Sequence, residues 1–192
     1  MTADLPAPQP DDLAATRAQW RRELLARRKH LPPESRALAD RAISLEIEGV
    51  LEGVAGVLGF YWPIQSEYDA RPVVSRWLAG AAGREAALPV VIRRAAPLIF
   101  RRWTAQTPMM SAGFGTSVPV PDERVDPDTL LVPLVGFDGA GYRLGYGGGY
   151  YDRTLAARLP RPSTIGIGYA ICRLESIVPQ SFDLKLDRIV VA

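Results

Sequence analysis

The chain of 192 residues has one cysteine, one histidine, two lysines and no asparagine. With Cys172 alone there is no internal disulfide, which fits a reducing compartment. One histidine excludes a His-rich metal centre, and a Cys/His zinc site lacks ligands. A Ser-His-Asp triad would have to use His30, which sits in a basic helical stretch just before Leu31-Pro32-Pro33 and reads as a solvated helix-end residue. Any metal should therefore be hard and oxygen-bound, Mg²⁺ first. Without asparagine there is no N-glycosylation acceptor. The longest apolar run, Val54 to Trp62, is far too short to span a bilayer. Residues 1–12 are rich in Pro, Ala and Asp with no apolar centre; they read as a disordered tail rather than a signal peptide. A cytoplasmic protein is expected.

What is present is ordinary for a globular chain: 47% hydrophobic and 23% charged residues, enough for one domain over residues 13–192. The net charge of +2 calls for neither nucleic acid nor membrane. It is uneven, however. From Arg17 to Arg41 there are eight basic and three acidic residues, a segment of +5 that leaves −3 for the rest. A nucleic-acid module is the reading this segment would favour alone. The small net charge and the lack of a nucleic-acid motif argue against it.

The pattern predicts a helix from Asp11 or Asp12 to about His30, ended by Pro32-Pro33, and a second from about Glu34 to Leu51. Val54 to Tyr61 reads as a buried strand, and a helix over Pro72 to Ala81 follows. Strands are expected at 86–92, 98–103 (at an edge), 130–135, 164–169 and 188–191, with a helix at 150–158. Residues 104–128 read as mostly irregular. Strands alternating with helices, several of them continuously apolar, predict an α/β domain with a mainly parallel sheet.

Seven of the 17 glycines fall between Gly136 and Gly149. The stretch follows the apolar run Leu130 to Val135 and precedes the helical stretch from Tyr150. Strand, glycine loop, helix is the order in which backbone N–H groups face a phosphate. Arg143, Tyr146, Tyr150, Tyr151 and Asp152 stand among the glycines, and a mere linker needs none of them. No Gly-Lys pair exists, so this is not a Walker A loop. Leu144 and Asp152 stand where a dinucleotide fingerprint needs its third glycine. Spacing alone leaves the ligand open.

The string Arg143-Leu-Gly-Tyr-Gly-Gly-Gly-Tyr-Tyr-Asp-Arg153, preceded by Leu-Val-Pro-Leu-Val-Gly-Phe-Asp, closely resembles the signature of the 5-formyltetrahydrofolate cyclo-ligase (methenyltetrahydrofolate synthetase) family. Arg17-x-x-Trp20-Arg21 with Leu25-x-x-Arg28, Tyr61-Trp62-Pro63 through Glu67-x-Asp69, and Phe182 to Asp187 are similar to other family segments. The resemblance implies a three-layer α/β fold and ATP-dependent closure of 5-formyltetrahydrofolate to 5,10-methenyltetrahydrofolate, with ATP and Mg²⁺. It puts Arg17, Arg21, Arg143 and the loop Gly145, Tyr146, Gly147, Gly148, Gly149, Tyr150 and Tyr151 on ATP. Arg143, Tyr150 and Tyr151 are its catalytic candidates, one tyrosine facing the formyl group and the other packing under the loop. Asp152 and Asp183 are the Mg²⁺ candidates, with Asp187 a competitor for the second place. Glu67, with Tyr61 and Trp62, is assigned to the pterin. A monomer with small-molecule partners is expected. Arg17 replaces a usual lysine, residues 170–175 lack a frequent glutamine, and the end lacks a common Thr-Glu. These departures would suit a relative acting on a different small substrate.

Overall fold

The computed structural model describes residues 13–192; the tail expected over residues 1–12 lies outside them. Two long helices open the fold, α1 (Leu13–Lys29) and α2 (Pro33–Leu51), separated by the prolines that cannot continue the first and that start the second. Strand β1 (Val57–Gly59), helix α3 (Arg71–Ala79) and strand β2 (Glu85–Val90) form a βαβ unit, and β3 (Ile99–Trp103) turns back beside β2. A small hairpin, β4 (Met109–Ser111) with β5 (Ser117–Pro119), occupies part of the stretch expected to be irregular. Then come β6 (Thr129–Pro133), the short ribbon β7 (Gly136–Phe137) and β8 (Arg143–Leu144), α4 (Tyr150–Ala157), β9 (Ser163–Gly168) and β10 (Arg188–Val191).

The main sheet has the order β10-β9-β6-β1-β2-β3. All its pairs are parallel except that of the edge strand β3 with β2. The fold class expected from the sequence is therefore the one observed. Successive residues of a strand face opposite sides, and the core divides accordingly. Leu58, Ala86, Leu88, Leu131 and Ile165 pack with Ile43, Ile47 and Leu51 of α2 and Val73, Val74 and Trp77 of α3. Ala87, Leu130 and Val132 face the other way, onto Phe100 and Leu155 of α4. A third cluster, Trp20, Leu24, Val135, Leu144, Cys172, Leu174 and Ile177, seats α1 near the ends of the strands.

From β1 the chain proceeds to β2 on one side, while β6 lies on the other and leads on to β9. The reversal between β1 and β6 leaves a crevice beyond their carboxyl ends, where open α/β sheets bind ligands. The expected strand at 54–61 is shorter than its apolar run. Phe60 N–H still donates to Ala87 O at 3.0 Å. Beyond it the chain leaves the sheet to line that crevice.

Candidate active site

One wall of the crevice follows β1. Tyr61 is buried, and its hydroxyl donates to Tyr68 O at 3.0 Å. Trp62 lies under the Arg71 guanidinium at 4.4 Å and lines an open cleft of about 320 Å³ with Trp103 and Met109. Of the two aromatics expected on the substrate, only Trp62 thus has an accessible face. The chain then makes a tight turn at 64–67, closed by Glu67 N–H to Ile64 O at 3.0 Å. Gln65 and Ser66 both have positive φ, 46° and 63°. That is the geometry of a type I′ turn, which normally recruits Gly or Asn and here costs about 1–3 kcal/mol per residue. Two arginines hold it: Arg28 Nε donates to Gln65 O at 3.1 Å and Arg36 Nη1 to Ser66 O at 3.1 Å.

The turn presents Glu67. Its carboxylate accepts from Ile64 N–H at 2.9 Å and from Tyr146 O–H at 2.7 Å, with Arg28 Nη2 4.0 Å away. The Glu67 side chain is only 3% exposed. Burial pushes its carboxyl above the usual carboxylate range, against the opposing pull of those two hydrogen bonds and of Arg28.

The facing wall follows β6. The expected glycine loop at 136–149 divides in two. Its first part is the β7–β8 ribbon, tightened by Asp138, whose Oδ1 accepts from the N–H groups of Ala140 and Tyr142 and whose Oδ2 accepts from Ile177 N–H. Only Gly145 to Gly149 remains a phosphate-type loop. Gly149 stands at the N-terminus of α4 with φ 61°, a left-handed cap that any side chain would strain. At Gly147 (φ 93°) an added Cβ would lie 3.3 Å from the Arg21 guanidinium carbon.

Helix α1 lies across this loop. Its buried positions are Arg17, Trp20, Leu24 and Arg28, so two of its arginines are inside, and the basic segment is no solvated strip. Arg17 Nη2 pairs with Asp183 Oδ2 at 2.5 Å, and Arg143 Nη2 pairs with Asp152 Oδ1 at 2.8 Å. Arg21 has no carboxylate partner among the described residues; its Nε donates to Gly145 O at 2.7 Å. Burial lowers its pKa, neighbouring Arg17 lowers it further, and Asp183 opposes both. Two close cations over a side-chain-poor loop are what an anion would relieve.

Asp152 Oδ1 also accepts from Leu184 N–H at 3.2 Å, which sets it against the segment carrying Asp183. Asp187 is engaged elsewhere, its Oδ2 accepting from both N–H and Oγ1–H of Thr164. Among the described residues there is no group of three or more acidic, His or Cys side chains able to hold a metal by itself. The two tyrosines diverge. Tyr150 lies against Gly148 and under Arg153, whose guanidinium is 5.6 Å from the ring. Tyr151 packs against the cluster of Leu134 and Leu155, and burial raises its pKa, with the Glu67 charge adding and Arg143 opposing.

Sequence reasoning missed Arg28, Arg36 and Asp138. Arg28 was legible in part: it continues the Arg17, Trp20, Leu24 face of α1. It also missed Arg153, which donates to Gly148 O and carries a buried Nε without a partner.

The family model of the 5-formyltetrahydrofolate cyclo-ligase family matches residues 14–192. The chain is 37% identical to the 5-formyltetrahydrofolate cyclo-ligase of Haemophilus influenzae over 100 residues, 49% of this chain and 54% of that one. It is 31% identical over 189 residues to that of Mycolicibacterium smegmatis, covering 91% and 93%. Among solved structures, a 5,10-methenyltetrahydrofolate synthetase from Mycoplasma pneumoniae superposes with a TM-score of 0.74 at 26% identity, over 91% of this chain and 97% of that one.

Proposed function

The chain belongs to the 5-formyltetrahydrofolate cyclo-ligase family, and from that premise we propose that residues 13–192 act as one domain converting 5-formyltetrahydrofolate to 5,10-methenyltetrahydrofolate at the expense of ATP. The γ-phosphoryl group passes to the formyl oxygen and ADP departs. The N10 amine then attacks the activated formyl carbon, and the oxygen leaves with inorganic phosphate. Such a transfer asks the protein for alignment and charge neutralisation more than for covalent help.

The amides of Gly145, Tyr146, Gly147, Gly148, Gly149 and Tyr150 take the phosphates, with Arg21 as the uncompensated cation. Arg17 and Arg143 serve the same charge while being held in place by Asp183 and Asp152. Glu67 accepts hydrogen bonds from the amino-pyrimidinone edge of the pterin, and Trp62 offers a stacking face. Tyr151 is the tyrosine assigned to the formyl group; Tyr150 packs under the loop; Tyr61 supports the wall from behind.

Mg²⁺ fits this arrangement. Asp152 Oδ2 and Asp183 Oδ1 have no protein partner among the described residues. Two such oxygens suit a hard cation that takes its other ligands from phosphate and water. Bound there, it would offset phosphate charge. The reading includes a monomer in the cytoplasm, with which the buried free thiol of Cys172 agrees.

The observation that carries this reading is the 2.7 Å hydrogen bond from Tyr146 in the glycine loop to Glu67 on the opposite wall. It brings the glycine loop within hydrogen-bond reach of a buried carboxylate, which supports assigning the two ligands to neighbouring places. The test is formation of the methenyl chromophore by purified protein with 5-formyltetrahydrofolate, ATP and Mg²⁺. Product only when ATP is present is expected; no product, or equal product without ATP, refutes the assignment.

A further inference from the structure

The Arg28 guanidinium grips three separate segments. Nε donates to Gln65 O in the strained turn, Nη1 to Leu134 O just beyond β6 at 2.9 Å, and Nη2 to the Tyr146 hydroxyl at 2.8 Å. The Tyr146 hydroxyl in turn donates to Glu67 Oε1 at 2.7 Å. Arg28 is 1% exposed and Tyr146 is 38% exposed. The anchor is thus rigid and deep, while the bridging ring belongs to an open loop. Burial raises the Tyr146 pKa, with the Glu67 charge next among its causes, so the hydroxyl keeps its proton and stays a donor to the carboxylate.

We propose that Tyr146 is a positioning residue that couples the two ligands: nucleotide on the glycine loop fixes the Tyr146 hydroxyl against Glu67, and folate on Glu67 fixes the loop for nucleotide. The inference rests on the proposed function, because it needs both ligands in the crevice. The physical reason is a shared hydrogen bond. Gly145, Gly147, Gly148 and Gly149 have no side chains with which to hold the loop in one place. Phosphate on its amides adds to the hold that Arg21 and Arg153 have on the carbonyls of Gly145 and Gly148, and Tyr146 is the only loop side chain that carries the result across to the pterin acceptor. Glu67 then meets the substrate with one oxygen already oriented. Linkage requires the effect to be equal in both directions.

The test is the dissociation constant of 5-formyltetrahydrofolate, measured by calorimetry without and with saturating β,γ-imido-ATP and Mg²⁺, in the wild type and in Tyr146→Phe. The reverse titration of the analogue without and with folate accompanies it. In the wild type each ligand should tighten the other by the same factor, about fivefold or more. In Tyr146→Phe, which keeps the ring and removes only the bridging oxygen, that factor should fall below about twofold. A general structural weakening would change the separate affinities and leave the factor alone. A wild type without coupling, or a variant that keeps it in full, overturns the inference while the substrate assignment stands. A wild type that binds no folate at all overturns that assignment and the inference with it.

Discussion

Residues 64–67 and residues 145–149 face each other across one crevice, yet they are shaped by opposite means. The first is a turn of ordinary residues forced into positive φ and clamped by two arginines. The second is a run of glycines that reaches similar dihedrals without strain and leaves Gly147 and Gly148 exposed. The turn, the proposed pterin wall, is shaped by protein contacts alone. The glycine run, the proposed phosphate wall, is shaped by what is missing from it and leaves its amides open. Preorganisation suits a flat, weakly charged ring, whose recognition depends on a few placed acceptors. A triphosphate brings its own charge and can order a loop by itself.

The comparison breaks most visibly at Arg28. Arg28→Met should cost about 3–5 kcal/mol in denaturant unfolding, because Glu67 then stays buried without its nearest cation and two carbonyls lose their donor. A loss under about 1 kcal/mol would mean that the turn holds itself. The phosphate wall should answer differently. Arg21→Ala should lower kcat/KM for ATP roughly 100-fold, about 2.7 kcal/mol, with no change in Tm, since its guanidinium supports only Gly145 O. Arg143→Ala should lower both turnover and Tm, because it leaves Asp152 unpaired and Leu184 O without its partner. Steady-state kinetics beside thermal melts separate the two arginines. Equal Tm losses would show that Arg21 is structural after all.

The backbone of the glycine wall was legible in the sequence and that of the facing turn only in part, for the same reason that they differ. A glycine run between an apolar strand and a helix announces its backbone geometry in residue types. So do the periodic helices and the apolar strands, and the parallel sheet followed from them. The turn at Gln65-Ser66 announces nothing: no Gly or Asn marks its positive φ, because the force that holds it comes from Arg28 and Arg36, distant in sequence. Arg28 stands in a segment similar to the family, yet residue types do not show that it is buried or which carbonyls it meets. The ion pairs Arg17–Asp183 and Arg143–Asp152 were equally hidden, although the sequence marks all four residues as candidates. The first pair depends on the crossing of α1 over the strand ends and the second on how the loop brings β8 back against α4, and residue types alone contain neither.

The mildest difference between the walls should appear in pH. Glu67 is the acceptor of the pterin wall, and burial raises its pKa, opposed by Ile64 N–H, by Tyr146 O–H and by Arg28. In the proposed role the ionised carboxylate offers the pterin two acceptor oxygens, whereas protonation turns one of them into a donor. Folate affinity should therefore fall as pH drops through that raised value, beginning above the range of an ordinary glutamate, and by at most about tenfold per pH unit. Stability runs the other way. A carboxyl whose pKa is raised by folding contributes stability that is fully present below its unfolded value and is lost as pH rises through the folded one. Acidification across this window should thus strengthen the fold at Glu67 while weakening the site. Glu67→Gln should flatten both slopes and leave nucleotide binding in the absence of folate as it was. Calorimetric folate titrations and melts over the same pH series measure the two together. Parallel slopes, or a folate limb unchanged in Glu67→Gln, would take the titration away from this residue and leave the pterin wall without its acceptor.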